Sequence, residues 1–223
     1  LSDRVSSILP AFTGDGKESV TVEQLLLHTG GLAPANHLDD YRDGPAAALA
    51  RICARELSSP PGERFIYSDL GYILLGELVE AVSGEGLEAF CARRVHGPLG
   101  MSETGYGLLD AGRLDRCAPT SPDGSGLGQV HDRRARALGG VAGHAGLFST
   151  AGDLSRFCAM LAGAAGQRSP LGPEALAELV RPRVFEGGAV ARALGIDVSS
   201  PYDSPRGSRF PRYTSLGHTG FTG

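Results

Sequence analysis

The amino-acid sequence predicts an α+β protein, and three observations carry the prediction. Helix-start signals recur along the first three quarters of the chain, most of them followed by apolar residues at helical spacing. Two short apolar runs, Leu194–Val198 and Tyr213–His218, are bounded by turn residues and read as strands near the end. The 33 glycines in 223 residues are about twice the usual share, so long connections join these elements.

Taken in order, Thr21-Val-Glu-Gln24 is a capping-box pattern ahead of Leu25, Leu26 and Leu27, and Gly30-Gly31 ends the run; a short helix is expected over about 22–29. Pro45 opens a second helix, to about Glu56. After the break at Pro60-Pro61-Gly62, Ser68 can cap a helix that carries Leu70, Ile73, Leu74, Leu78 and Val82 on one stripe and runs to Ser83-Gly84. A fourth helix covers about 86–96 and stops before Gly97-Pro98. Residues 103–138 lack sustained periodicity; a loop of this length inside a compact domain is usually functional, and it is expected to line a cleft. The glycine-dense turn Gly139-Gly-Val-Ala-Gly-His-Ala-Gly146 follows, with a backbone free to reach conformations barred to other residues. Thr150 then caps a helix with Leu154, Phe157, Cys158 and Leu161, and Gly172-Pro173 starts another that ends near Pro182.

Composition excludes several classes. At 41% hydrophobic and 21% charged residues the chain is expected to be globular, and no apolar stretch approaches the ~20 residues that span a bilayer. A formal charge of −4 gives no basic field for nucleic acid. Cys53, Cys91, Cys117 and Cys158 are 26 to 41 residues apart with no C-x-x-C, so free, buried thiols are expected in place of a disulfide framework or a zinc site. No metal is expected, because the histidines are scattered without an i, i+4 pair. No cofactor is expected either: a Walker A pattern is missing, and Gly84-Glu-Gly86-Leu-Glu-Ala89 follows a helix where a dinucleotide fingerprint follows a strand. No serine has glycine two residues before and two after it, which excludes the nucleophile elbow of α/β-hydrolases.

The residues with chemistry to offer lie in four places. Tyr67-Ser68-Asp69 heads a strongly amphipathic helix, where unpaired N–H groups favour a developing negative charge; the alternative is a core tyrosine beside an ordinary serine cap. His218-Thr219-Gly220 ends an apolar strand, placing a basic ring, a hydroxyl and bare backbone on one edge. His144 in the glycine-dense turn can touch substrate or serve structure. His28 ends its helix and is read first as supporting the fold near the cleft, and the pair His131-Asp132 is either an orienting pair or a solvated loop.

Four stretches occur in the order and rough spacing of one family: Val22-Glu-Gln-Leu-Leu-Leu-His-Thr-Gly-Gly-Leu32, Tyr67-Ser-Asp-Leu-Gly-Tyr-Ile-Leu-Leu-Gly76, Gly140-Val-Ala-Gly-His-Ala-Gly-Leu-Phe-Ser-Thr150 and Gly217-His-Thr-Gly-Phe-Thr-Gly223. Over nearly its whole length the chain resembles the serine β-lactamase and penicillin-binding-protein superfamily, most of all the class C β-lactamase-related serine hydrolases in their cell-wall amidase and D-aminoacyl carboxypeptidase branch. That resemblance implies a β-lactamase/transpeptidase-like fold: a mostly helical region over 21–165 with cleft-lining loops, and an antiparallel sheet flanked by helices to which 1–20 and 166–223 contribute.

The family combines a Ser-x-x-Lys, a Tyr-x-Asn and a Lys/His-Thr-Gly, and reacts through an acyl-enzyme. By this resemblance Tyr67 and His218 are the catalytic candidates. Asp69, His144, Thr219, Gly220 and Phe221 are the substrate-binding candidates, with the N–H of Phe221 at the oxyanion. Asp69 departs from the family's Asn, and an ionised carboxylate can only accept where the amide donates. The Ser-x-x-Lys is missing: Lys17 is the only lysine, and Gly14 stands three residues before it. Because Asp3-Arg-Val-Ser-Ser-Ile-Leu-Pro10 resembles the stretch that follows the nucleophile helix, the motif is expected upstream of Leu1, and the sequence reads as a piece of a longer chain, inactive alone. The implied substrate is a peptidoglycan-derived peptide or amide. An ester or a β-lactam comes second, and a non-catalytic binder of penicillin or muropeptides is the competing class.

Overall fold

The computed structural model describes residues 1–107, 111–121, 126–202, 209–211 and 214–220. In chain order its helices begin with α1 (Val5–Ile8), α2 (Val22–Leu26), α3 (Pro45–Ala54), α4 (Asp69–Ser83), α5 (Leu87–Cys91) and α6 (Gly97–Leu99). Strand β1 (Gly105–Tyr106), helices α7 (Ala111–Leu114) and α8 (Arg133–Ala137), strand β2 (Leu147–Phe148) and helix α9 (Ala151–Leu161) follow. The chain closes with α10 (Pro173–Val180) and the strands β3 (Arg183–Phe185), β4 (Val190–Ala193) and β5 (Ile196–Ser199). This mixture of helices and small antiparallel sheets is the expected α+β, β-lactamase/transpeptidase-like arrangement.

Two compact units share the chain. The first comprises Leu1–Pro34, Glu56–Gly71 and Leu171–Gly223, and the second Ala35–Arg55 and Tyr72–Pro170. Residues 21–34 and 56–71, from the stretch expected to be helical, therefore cluster with the sheet-bearing unit.

In the first unit α2 starts as its sequence dictates. Thr21 accepts from the Gln24 N–H, and the Gln24 side chain accepts from the Thr21 N–H, so two orphan donors are satisfied reciprocally. The helix ends earlier than 29 in a Schellman closure, with the Thr29 N–H on the Gln24 carbonyl at 2.8 Å and the His28 N–H on Leu25 at 3.1 Å. The sheet runs in the order β3-β4-β5, antiparallel throughout, around a small core of Ala191, Ala193 and Val198 with Ile196 and Leu216 packed against it. Strands β3 and β4 have no counterpart in the sequence reading. The run 213–218 was expected to be a strand; among its described residues only Gly217 joins the ladder, exchanging both backbone bonds with Asp197.

The second unit holds most of the helices. Along α4, Ile73, Leu74 and Leu78 are buried, as is Leu70 at its start, but Val82 is exposed: the last turn projects past the apolar neighbours. Helix α9 corrects a second expectation. Leu154 and Cys158 lie outward, and the inward face is Asp153, Phe157, Met160 and Leu161, at spacing i, i+4, i+7 and i+8. Asp153 takes a core position because its carboxylate is fully engaged: it accepts from the Glu103 N–H and the Thr104 hydroxyl, both at 2.8 Å, and pairs with Arg156. All four cysteines are free thiols, yet only Cys53 is buried, and Cys158 is exposed. The expected helix 86–96 changes character midway, since Ala92–His96 winds as a π-helix after α5.

The glycine-dense turn is built for close approach. A Cβ on Gly143 would stand 2.0 Å from the Tyr72 carbonyl oxygen and 3.0 Å from the Gly76 nitrogen, both backbone atoms of α4. At Gly146, φ is +110° and a Cβ would meet the Gly140 carbonyl at 2.3 Å. Gly143→Ala must push the turn off the helix, and is expected to destabilise by about 2–3 kcal/mol, the scale of overpacking against groups that cannot yield. Urea unfolding of wild type and variant reads this directly; a loss below about 0.5 kcal/mol, the scale of a neutral surface change, would show that the turn relaxes freely.

Candidate active site

Tyr67 lies in extended chain two residues ahead of α4, as its position before the helix implies. Ser68 is the cap. Its Oγ accepts from the Gly71 N–H at 3.2 Å and donates to the Ala33 carbonyl at 2.6 Å. The Ser68 N–H donates to Nδ1 of His28 at 3.0 Å. Asp69 begins the helix and its N–H donates to the Pro34 carbonyl at 2.8 Å. A carboxylate in the first turn suits the positive end of the helix dipole.

His28 is buried and sits at the C′ position after α2 with φ +58°, a left-handed conformation that histidine reaches more readily than most non-glycine residues. The Schellman closure turns its ring toward Tyr67, with centroids 4.3 Å apart and planes tilted by 31°. Burial, with the nearby charges of Arg192 and His218, holds its pKa down to about 3. The imidazole is therefore neutral over the ordinary pH range, and its Nδ1 is free of protons to accept from Ser68.

The ring of His218 is also close, its centroid 6.2 Å from that of Tyr67. The Asp197–Gly217 backbone pairing fixes it there, one residue beyond the ladder. Its Nδ1 lies 2.9 Å from the Thr219 carbonyl, and His218, Thr219 and Gly220 are all exposed. Tyr202 packs on Tyr67 as well, with centroids 5.0 Å apart. The second and third sequence motifs are thus brought together within the first unit, although about 150 residues separate them.

Electrostatics at Tyr67 run against easy ionisation. Burial pushes the phenol pKa up, the Asp69 carboxylate adds to the rise, and Asp197 and Tyr202 contribute in the same direction. Arg192 is the one cation among the causes that acts the other way. Arg192, Asp197, Phe65 and Tyr202 were not found from the sequence; the first two could have been flagged as charges inside an apolar run, a pattern that signals a buried ion pair.

His144 belongs to the second unit. Its side chain is 4% exposed, and Nε2 lies 3.0 Å from Asp132 Oδ1. The same oxygen caps α8 through the Ala135 N–H at 2.7 Å. Those two hydrogen bonds hold the Asp132 pKa down to about 2 despite partial burial. Asp132 thus works with His144, twelve residues on, as well as following His131 in sequence. Phe221, the expected oxyanion donor, lies outside the described residues.

Comparison with known proteins places this geometry. The family model described as Beta-lactamase matches residues 1–223. An Escherichia coli (strain K12) protein that carries the provisional name of a D-alanyl-D-alanine carboxypeptidase is 34% identical over 185 residues, covering 69% of this chain and 42% of that protein. An N-acetylmuramyl-L-alanine amidase of Bacillus subtilis (strain 168) is 31% identical over 186 residues, covering 69% of this chain and 42% of the amidase. The chain spans less than half the length of these curated relatives. Among solved structures, a family VIII carboxylesterase superposes with a TM-score of 0.70 at 22% identity, covering 98% of this chain and 64% of the esterase, a likeness of fold. With a family model that spans every residue, the chain belongs to the β-lactamase family, in the superfamily of serine β-lactamases and penicillin-binding proteins.

Proposed function

We propose that this chain serves a serine hydrolase that acts through an acyl-enzyme on peptidoglycan-derived peptides or amides. The observation that carries the reading is the placement of Tyr67 just ahead of α4, packed on neutral His28 and close to the exposed ring of His218. The names of the two curated relatives, a carboxypeptidase for D-alanyl-D-alanine and an amidase, favour cell-wall peptides and amides over esters.

In this reading the nucleophile is the serine of a Ser-x-x-Lys upstream of Leu1. Tyr67, as phenolate, takes the seryl proton while Oγ bonds to the substrate carbonyl. The tetrahedral oxyanion is held by the serine's own N–H and that of Phe221. As the C–N bond breaks, Tyr67 returns the proton to the leaving amine. Water then repeats the sequence on the acyl-enzyme: it bonds to the carbonyl and gives its proton to Tyr67, which passes it to the seryl oxygen as the acyl C–O bond breaks, restoring the serine and the phenolate. His218, beside the ring, and exposed Thr219 next to it in sequence bind the substrate's carboxylate. Asp69, accepting where the family's Asn donates, takes a substrate N–H. His144, anchored to Asp132, holds the glycine turn in shape.

The test is an acyl-trapping experiment on the full-length protein. It is incubated separately with a peptide ending in D-alanyl-D-alanine, an N-acetylmuramyl-L-alanine peptide, p-nitrophenyl butyrate and benzylpenicillin, and each quenched sample is weighed intact by mass spectrometry. The expected result is an adduct of the acyl mass on a serine upstream of Leu1, with turnover of at least one of the two cell-wall substrates. Turnover of the ester alone assigns an esterase, and adducts with none of the four overturn the enzyme reading in favour of a non-catalytic binder.

A further inference from the structure

Arg192 is the most deeply buried charge in the first unit. It sits on β4, the central strand, with 0% of its surface exposed. Among the described residues none of Nε, Nη1 and Nη2 makes a hydrogen bond. Its counter-ion is Asp197 on β5, with Oδ2 at 3.6 Å from Nη1, beyond hydrogen-bond reach. That carboxylate oxygen is also bound by the Ser200 hydroxyl at 2.7 Å. The guanidinium carbon lies 5.6 Å from the centroid of Phe65, two residues before Tyr67. An arginine buried with donors unengaged is costly, and an apolar residue of similar size would serve packing alone at least as well. Phe65 and Tyr67 both pack on Tyr202, with centroids 6.2 and 5.0 Å apart, and Phe65 lies 6.0 Å from His28, so the buried charge sits in one aromatic cluster with Tyr67 and His28 and acts to lower the pKa of both.

Resting on the acyl-enzyme reading, we propose that Arg192 is a positioning residue for Tyr67, a fixed buried cation whose field stabilises negative charge on the Tyr67 oxygen while the phenolate serves as base. The groups around that oxygen define the balance. Asp69 at the start of α4, Asp197 on β5 and Tyr202 beyond it all oppose ionisation, as does burial. Neutral His28 brings no charge from the α2 side, and His218 faces the ring from the strand end. Arg192 offsets the carboxylates without contacting substrate. Its lack of hydrogen bonds is what makes the arrangement effective: a guanidinium engaged by carbonyls has its charge dispersed, whereas one held against an aromatic face keeps its field in a low-dielectric interior. Asp197 has a second duty in the same scheme, since its backbone holds Gly217 and thus sets the place of His218.

The experiment is titration of Tyr67 in the full-length protein, by the 13C resonance of its labelled phenol carbon, assigned with Tyr67→Phe. Wild type is compared with Arg192→Met, Arg192→Lys and Asp197→Asn, and kcat/KM is followed over pH with whichever substrate forms the acyl-enzyme. Arg192→Met is expected to raise the Tyr67 titration midpoint by about one pH unit or more, and to lower kcat/KM near neutrality about tenfold, with recovery at higher pH. Arg192→Lys keeps the charge and is expected to restore the midpoint to within about half a unit. Asp197→Asn removes an opposing charge and is expected to move the midpoint down, so the inference stays testable if Arg192→Met does not fold. A midpoint unmoved in folded Arg192→Met, or unmoved in Asp197→Asn where Arg192→Met does not fold, overturns it, whatever the melting temperatures do. Full activity of Tyr67→Phe would instead take the role of base away from Tyr67, while the absence of any acyl adduct would defeat the acyl-enzyme reading; the shifted midpoints would remain visible by resonance.

Discussion

Tyr67→Phe in the full-length protein is expected to lower kcat/KM for a cell-wall peptide or amide by roughly 10²-fold or more, the scale of a lost general base. The substitution removes one oxygen and keeps the ring, so the stacking on His28 at 4.3 Å and on Tyr202 at 5.0 Å survives. Melting should therefore shift little while turnover collapses, and the fall should appear in the acylation rate. Retention of near-wild-type acylation would make Tyr67 a core aromatic, and the mechanism would need another base.

Acid is expected to unfold the protein through His28. Its folded pKa, near 3, lies below the ordinary histidine value of about 6.5, so between these limits the unfolded chain binds one more proton than the folded one. The stabilisation from neutral His28 is complete above pH 6.5 and is lost progressively as pH falls toward 3, at about 1.4 kcal/mol per pH unit. Urea unfolding at pH 7.5, 6, 5 and 4 measures it. His28→Gln, whose amide oxygen can still accept from Ser68, should show a shallower dependence by that amount, whatever its absolute stability. Parallel curves for the two proteins would mean that His28 titrates alike in both states.

Local chemistry made much of this chain legible. The Thr21–Gln24 capping box, the proline that opens α3, the Ser68 cap of α4 and the Thr150 cap of α9 are each decided within four residues, and each stands where the sequence places it. The motifs at Tyr67 and His218 could be located for the same reason. What the sequence does not display is partnership across long separations. Strands β3 and β4 are short and carry Arg183 and Arg192, so they lack alternation; they are strands because the ladder pairs them. Asp153 reads as a surface residue on α9 until Glu103 and Thr104, some fifty residues earlier, are seen to engage it. Arg192 escaped notice because nothing near it in sequence shows that Phe65 will face its charge.

The bonding of Ser68 bears on any chemical search for the nucleophile. Beside a catalytic candidate and at a helix start, it is the serine that inspection of the chain would pick first. Its proton is committed to the Ala33 carbonyl, a lone pair is committed to the Gly71 N–H, and the residue is buried. Reaction with an organophosphorus probe would require both hydrogen bonds to break and the first turn of α4 to open. Phosphonylated Ser68 in a peptide digest would therefore be a mark of molecules that had lost their native fold before meeting the reagent, and labelling elsewhere would be the informative signal.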